Sequence, residues 1–451
     1  MPTIAAGLLA ASGCADLVQA ASMDSSTAGD DGAETLAGDG QPATGPAGDD
    51  EVDGVDGTQG GTTEGPTPMT DTTLGADGGT TETTAQTTAE ATAESTGQPS
   101  ACGPQMLCHG AAVTYDPMCS QPRALGFGDF DEQGDLDVVV ACENQHVVSV
   151  LLGDGTGGLT HSSTTDLGMS IRPVDLVVTD IDGDDNLDVV TANRDDSSVA
   201  VLYGDGGGTL TIPDFYDTGS STRGVAAGDV NDDGLIDILA AVRDDNNISV
   251  FYNDTMGSLM GEVEVPSSNN RPESVFAAEL DDQPGLDAAW SSEQNDLVVI
   301  HFGDGEGALE LGITVAAGSD PAQLSGGDFD GDGDVDLVVS NRMSDDVSYI
   351  ENNGDGTFTD GVAIAVGEEP RWVAVGDLDA DGALDIVTAD RISLTLSVLL
   401  GDGAGEFLTA PAFMTTAEPN VVGAADLNGD GVPEIVYDEG NLVAVIPSEP
   451  R

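Results

Sequence analysis

The sequence predicts an all-β protein, a seven-bladed β-propeller of four-stranded antiparallel blades preceded by a disordered linker. Three observations predict it. Acidic clusters recur at a nearly constant spacing, each unit reads as four short strands, and the two ends of the array complement each other.

The clusters begin at Asp129, Asp180, Asp229, Glu279, Asp328, Asp377 and Asp426, separated by 51, 49, 50, 49, 49 and 49 residues. A period near fifty built from short strands indicates a propeller or a β-solenoid. Each unit opens with a short apolar strand, such as RGVAAGDV or RWVAVGDL, that runs into the acidic loop. A β-branched strand follows (LDVVTAN, VDLVVSN), then a third (SVAVLYGD, LSVLLGD), a Gly-Asp-Gly turn and a weaker outer strand. Four strands per unit favour the propeller over a solenoid. The near-continuous Val/Ile/Leu of the second strand marks it as covered on both faces. The seventh unit stops after its third strand, Asn441 to Pro447, while Ala111 to Tyr115 stands where a preceding unit would have its outer strand. That N-terminal strand is expected to complete the last blade and so remove two sheet edges.

The acidic loop has the form D-x-D-x-D-G-x-x-D. Its fullest copies are Asp328, Asp330, Asp332, Asp336 and Asp377, Asp379, Asp381, Asp385. Asp426, Asn428, Asp430, Glu434 and Asp229, Asn231, Asp233, Asp237 keep oxygen donors throughout. The loop Asp180, Asp182, Asp184, Asp188 has Asp185 where glycine is usual, so its turn is expected to be strained. The loop Asp129, Asp131, Gln133, Asp137 has a neutral donor at its fifth position, and the Glu279 copy, with Gln283 and Pro284, is expected to bind nothing. Calcium takes six to eight hard oxygens in flexible geometry, which alternate carboxylates around a tight glycine turn supply. An EF-hand is rejected, because strand rather than helix follows and no twelfth-position Glu closes the shell. The expected cofactor is calcium, about five to six ions.

Together with LLGDGTGGL (151–159), HFGDGEGAL (301–309) and LLGDGAGEF (399–407), these loops resemble the FG-GAP or VCBS repeats of integrin-α-type propellers over about 101–451. The resemblance implies calcium between the first and second strands, on the face opposite the ligand-binding face. It implies function only weakly, since one scaffold hosts many roles.

Nine of the ten basic residues, all arginines, fall at two positions of the repeat. Arg123, Arg172, Arg223, Arg271 and Arg371 open first strands, and Arg194, Arg243, Arg342 and Arg391 follow second strands. Antiparallel pairing puts both sets at the blade end opposite the loops. Either each arginine pairs with a neighbouring acid, or Arg172, Arg194, Arg223, Arg243 and Arg371 form a face for a carboxylate-bearing protein or acidic glycan. Trp372 is a candidate stacking platform there.

Ten basic residues against 83 acidic ones give a net charge of -73, which makes nucleic acid and anionic membrane poor partners. Such a surplus needs counter-charge or screening salt in a compact fold. Residues 1–22 resemble a bacterial lipoprotein signal: an apolar run ends in Ala11-Ser12-Gly13-Cys14, with Cys14 as the lipidated residue. No basic residue precedes that run, and position 11 is Ala rather than Leu. Export to the outer membrane, cell surface or medium is expected, with membrane contact only through a lipid anchor. Residues 23–100 are rich in Gly, Thr, Ala, Asp and Glu, with no aromatic or basic residue, and are expected to be a disordered tether reaching ~50 Å. An oxidising compartment permits disulfides. Cys119–Cys142 and Cys102–Cys108 are the expected pairs, although four cysteines allow three pairings.

The four histidines share no repeat position, and no nucleophile elbow appears. The chain therefore reads as a monomeric cell-surface or secreted adhesion module rather than an enzyme. A polysaccharide lyase and a purely structural surface protein are the alternatives.

Overall fold

β-Branched runs of six or seven residues, punctuated by glycine-rich turns, form strands, and among the described residues there are no helices. The computed structural model describes residues 107–254, 257–267, 271–281 and 283–449. The signal and lipidation assignments for residues 1–22, the linker assignment for 23–100 and Cys102 lie outside the described residues.

Seven antiparallel sheets succeed one another along the chain. Their first strands are Pro122–Gly128, Pro173–Thr179, Thr222–Gly228, Pro272–Ala278, Pro321–Gly327, Pro370–Gly376 and Val422–Ala425, and they number the blades 1 to 7. Each first strand packs against the next, and that of blade 7 meets that of blade 1, closing the ring. Second strands such as Asp188–Asn193 and Asp336–Asn341 are buried along their whole length, as their composition predicts. Outer strands alternate instead, as in Leu159–Asp166, because only one face meets a neighbour. In blade 6 Pro411 breaks the outer strand into Phe407–Thr409 and Phe413–Met414, both paired with Thr395–Gly401.

The ring closes as the array ends predict. Val113–Tyr115 is the outer strand of blade 7, pairing with Leu442–Ile446 in the register Val113↔Val445, Thr114↔Ala444, Tyr115↔Val443. Backbone hydrogen bonds from Gly110 to Pro447 (2.8 Å) and from Glu449 to Cys108 (2.7 Å) extend the seam. The Cys119–Cys142 disulfide ties the segment behind the closing strand to the second strand of blade 1.

Most first strands begin with proline, whose missing N–H suits a strand's first residue at a sheet edge. In blades 1 to 6 the register then shifts by a bulge, for example between Pro122 and Ala124 or Pro370 and Trp372. A bulge re-aims the side chain it contains. Arg123, Val174, Arg223, Glu273, Ala322 and Arg371 therefore turn inward and, with Asn420 of blade 7, line a small axial cavity of about 70 Å³.

Candidate functional site

Each acidic loop joins a first strand to a second, and the seven loops share one end of the blades. Their backbones share a geometry that the residue types dictate. The first-position carboxylate accepts the amides of positions five and six: Gln133 N–H at 3.1 Å and Gly134 N–H at 2.8 Å onto Asp129, Asp233 N–H at 3.1 Å and Gly234 N–H at 2.8 Å onto Asp229. The sixth residue needs a positive φ, which is +92° at Gly134, +99° at Gly333 and +93° at Gly382. Asp185 holds the same place in loop 2 with φ +72°, a conformation that strains a non-glycine residue, as the sequence predicts.

The ninth-position acid does more than close the loop. One oxygen accepts the amide of position two and the other the amide sixteen residues on, at the end of the third strand. Asp137 holds Phe130 N–H (2.7 Å) and Gly153 N–H (2.8 Å); Asp336 holds Phe329 N–H (3.1 Å) and Asn352 N–H (2.8 Å). Asp188, Asp237 and Asp385 repeat the clamp, and so does Asp287 of the degenerate fourth loop. Burial raises these carboxyls to about 6 for Asp137, Asp188, Asp237, Asp287 and Asp336, and to about 7 for Asp385. The neighbouring aspartates push in the same direction.

Carboxylate oxygens converge in four loops: Asp129, Asp131 and Asp137; Asp180, Asp182 and Asp188; Asp328, Asp330 and Asp332; Asp377, Asp379 and Asp385. Within each group they lie within 4.8 Å of one another. Loops 3 and 7 put Asn231 and Asn428 at position three, where the amide oxygens accept Asp233 N–H (3.0 Å) and Asp430 N–H (2.9 Å). Among the described residues the fourth loop brings no such trio together. A set made only of oxygens, mutually repelling and half-buried, suits a hard divalent cation and disfavours softer metals. Gln133, Asp184, Asp332, Asp381 and Asp430 stand at position five, where a side-chain oxygen adds to the set.

At the opposite end the two arginine positions meet as the spacing predicts, with Arg194 N–H donating to the Arg172 carbonyl at 2.9 Å. The guanidiniums, however, are engaged. Glu143 accepts Arg194 at 2.7 Å and lies 3.3 Å from Arg123 and 3.7 Å from Arg172. Buried Glu273 draws in Arg243 at 2.7 Å, Arg342 at 3.6 Å and Arg223 at 4.0 Å. Burial acts to raise the Glu273 pKa, but the three guanidiniums hold it below its ordinary range. Arg371 and Arg391 share Glu369, at 2.8 and 3.1 Å. Arg194 and Arg243 also meet the acids beside them in sequence, Asp195 at 2.9 Å and Asp244 at 3.2 Å, while Glu143 and Glu273 each draw arginines from more than one blade. Trp372 is only 8 % exposed and lines the small axial cavity, so no ring face stands free on the surface.

A larger opening of about 460 Å³ lies beside the axis. Four arginines line it (Arg223, Arg243, Arg342, Arg371) with six acids (Glu273, Glu293, Asp320, Asp345, Glu368, Glu369), while Met343 and Ile392 sit exposed on its rim. Sequence reasoning located the arginines but missed Glu143 and Glu273, although both stand at arginine positions of the repeat: Glu143 fourteen residues after Asp129, Glu273 six before Glu279.

The FG-GAP-like repeat family matches residues 129–191, 180–240, 328–388 and 377–437. The matches begin at loops 1, 2, 5 and 6, the same four that gather three carboxylates. No curated protein sequence matches the chain. Among solved structures, virginiamycin B lyase from Staphylococcus aureus superposes with a TM-score of 0.52 at 14% identity, over 75% of this chain and 99% of that one. A putative 6-phosphogluconolactonase from Bacteroides uniformis gives 0.52 at 18% identity, over 69% and 89%. Identities this low show a shared fold and nothing of the chemistry. Among the described residues no helix is long and apolar enough to cross a membrane.

Proposed function

We propose that the protein is a calcium-loaded binding module working outside the cell, with cations in the FG-GAP loops at one end of the ring and a partner held at the other. The observation that carries this reading is the division of charge. One end gathers carboxylates in four loops, while the other opens a cavity of about 460 Å³ with four arginines and six acids in its wall. Calcium would be held by positions one, three, five and nine of loops 1, 2, 5 and 6, with the amide-bearing loops 3 and 7 as further sites. Bound there, it supplies the positive charge that lets the ninth-position acids stay ionised at neutral pH.

The arginines at the mouth already hold glutamates, so an acidic glycan would have to displace them. A protein surface carrying both signs of charge fits better, with Met343 and Ile392 supplying apolar contact at the rim. The Cys119–Cys142 disulfide supports a site of action in an oxidising compartment.

Calorimetric titration of the full chain with calcium should show tight sites that EDTA abolishes. Arrays of extracellular proteins and glycans, probed with and without EDTA, should show binding to proteins that calcium strengthens. Release of unsaturated products from uronate-rich polymers would instead establish a lyase and end the binding-module reading.

A further inference from the structure

Every loop has one apolar residue at its second position: Phe130, Ile181, Val230, Leu280, Phe329, Leu378 and Leu427, all no more than 3 % exposed. Its N–H is held by the ninth-position carboxylate of its own loop. In most blades its carbonyl points across the seam to the glycine-rich turn between the third and fourth strands of the next blade. Gly208 N–H reaches Phe130 O at 2.8 Å, Gly405 N–H reaches Phe329 O at 3.2 Å, and Gly157 N–H reaches Leu427 O at 3.2 Å, across the ring closure. Asn253 and Asn352 do the same with their side-chain amides, onto Ile181 O at 2.6 Å and Leu280 O at 3.1 Å. Tyrosines of the preceding blade also bond such turns: Tyr115, on the outer strand of blade 7, donates to Gly157 O (3.1 Å), and Tyr203 and Tyr252, at the third strands of blades 2 and 3, donate to Gly257 O (2.9 Å) and Gly307 O.

The approach is close enough to require glycine. A Cβ on Gly257 would sit 2.5 Å from the Cβ of Asp182, a third-position acid of the preceding blade, and one on Gly307 would sit 3.3 Å from that of Asn231. The same turns also touch position seven of their own blade's loop: a Cβ on Gly155 would lie 2.4 Å from Asp135, and one on Gly354 would lie 2.1 Å from Asp334. Each turn is therefore wedged between two loops, its own and its predecessor's. Blade 7 has no such turn, because its outer strand, Val113–Tyr115, comes from ahead of blade 1 in the chain.

We infer that cation loading is coupled between neighbouring loops through these turns. A cation that fixes positions one, three and nine also fixes the second-position peptide bracketed by them, and that peptide holds the turn of the next blade. The turn in turn lies against the seventh residue of its own loop, directly after the sixth-position residue that shapes that loop's site. Loading then runs as two linked series, from loop 7 to loops 1, 2 and 3 and from loop 5 to loop 6, with breaks at the fourth loop, which gathers no carboxylate trio, and at the seam between blades 6 and 7. This inference rests on the calcium reading of the loops and adds to it that the sites do not fill independently.

The test is hydrogen exchange by mass spectrometry on the full chain with and without calcium, comparing the wild type with a double variant Asp328→Asn and Asp330→Asn. These changes keep shape and leave the clamp at Asp336 in place. In the wild type, calcium should slow exchange in the loops and in the turns of residues 204–209 and 401–406. In the variant, protection should vanish from loop 328–336 and also from turn 401–406 of blade 6, while turn 204–209 stays protected. Protection of turn 401–406 equal to the wild type would overturn the coupling and leave the calcium sites standing. Absence of calcium-dependent protection anywhere in the wild type would overturn both. A second measurement needs no ligand substitution: Gly405→Ala leaves every donor in place, and its titration should show weaker binding at more than one site. A wild-type isotherm in that variant would count against the turn as the link.

Discussion

The two ends of the ring solve the same electrostatic problem in opposite ways. At the loop end, carboxylates converge within 4.8 Å in four blades, and burial with like charge drives the ninth-position acids up to about 6 or 7. At the arginine end, Glu273 is also largely withdrawn from water, yet it is held below its ordinary range because three guanidiniums surround it. One end pairs its charges within the chain; the other leaves carboxylates together without a partnering cation of its own, which is where the proposed calcium would sit. Stability should accordingly depend on cation supply at one end and on internal pairing at the other.

Removing calcium should give the largest effect. A ligand at a hundredfold its dissociation constant stabilises by about 2.7 kcal/mol per site, so four sites amount to on the order of 10 kcal/mol. Melting followed by circular dichroism should show a large downward shift in EDTA, partly reversed by added sodium chloride, which screens the loop carboxylates. A melting temperature indifferent to EDTA would erase the contrast between the ends.

Asp175 sharpens the comparison, since it lies buried on the first strand of blade 2 with no arginine bound to it. Its carboxylate accepts only Leu176 N–H (2.9 Å) and Val225 N–H (3.1 Å), and burial raises its pKa to about 7 from 3.8. A raised folded-state pKa favours folding below about 4, and that advantage is lost as pH rises through 7. Relative to Asp175→Asn, the wild type should therefore lose on the order of 4 kcal/mol between pH 4 and pH 8. Parallel denaturation curves across that range would refute the assignment.

Glu273→Gln probes the other side of the argument. It leaves Arg223, Arg243 and Arg342 crowded around a neutral group, and should cost about 3 kcal/mol in urea denaturation. Calcium affinity should not change, because the loops lie at the far end of the strands. The smallest effect is expected at Asp185→Gly, which relieves a positive φ of +72° in loop 2. A gain of about 1 kcal/mol, with tighter calcium binding at that loop, is the expected outcome; a loss would mean that the Asp185 side chain has a role of its own.

Much of this was legible in advance because it is local and repeated. The loop carboxylates stand within nine residues of each other, and the glycine, strand and turn signals recur every fifty residues, so each copy supports the reading of the others. Asp129, Asp131 and Asp137 come together as their spacing requires. The pairing of Ala111–Tyr115 with the last blade was legible for a different reason: one end of the array lacked a strand that the other possessed. The functional face was less readable. The arginine positions allow two readings from sequence, pairing with a neighbouring acid or a face for an anionic partner, and nothing within one repeat shows that Glu273 draws in arginines from blades 3 and 5. Trp372 beside Arg371 looked like a platform until the bulge after Pro370 turned it toward the axis.

By itself, the sequence determined the number of blades, the position of every loop and the hard-oxygen chemistry of the candidate sites, since each depends on residues close together along the chain and on a period that needs no partner. Only the tertiary structure decided which acid neutralises which arginine, which side chains enter the axial cavity, and which turn rests on which loop. Many of those contacts join residues from about fifty to three hundred positions apart, such as Gly208 with Phe130 and Arg123 with Asn420. They exist only because the ring closes and brings each blade's edge against the next.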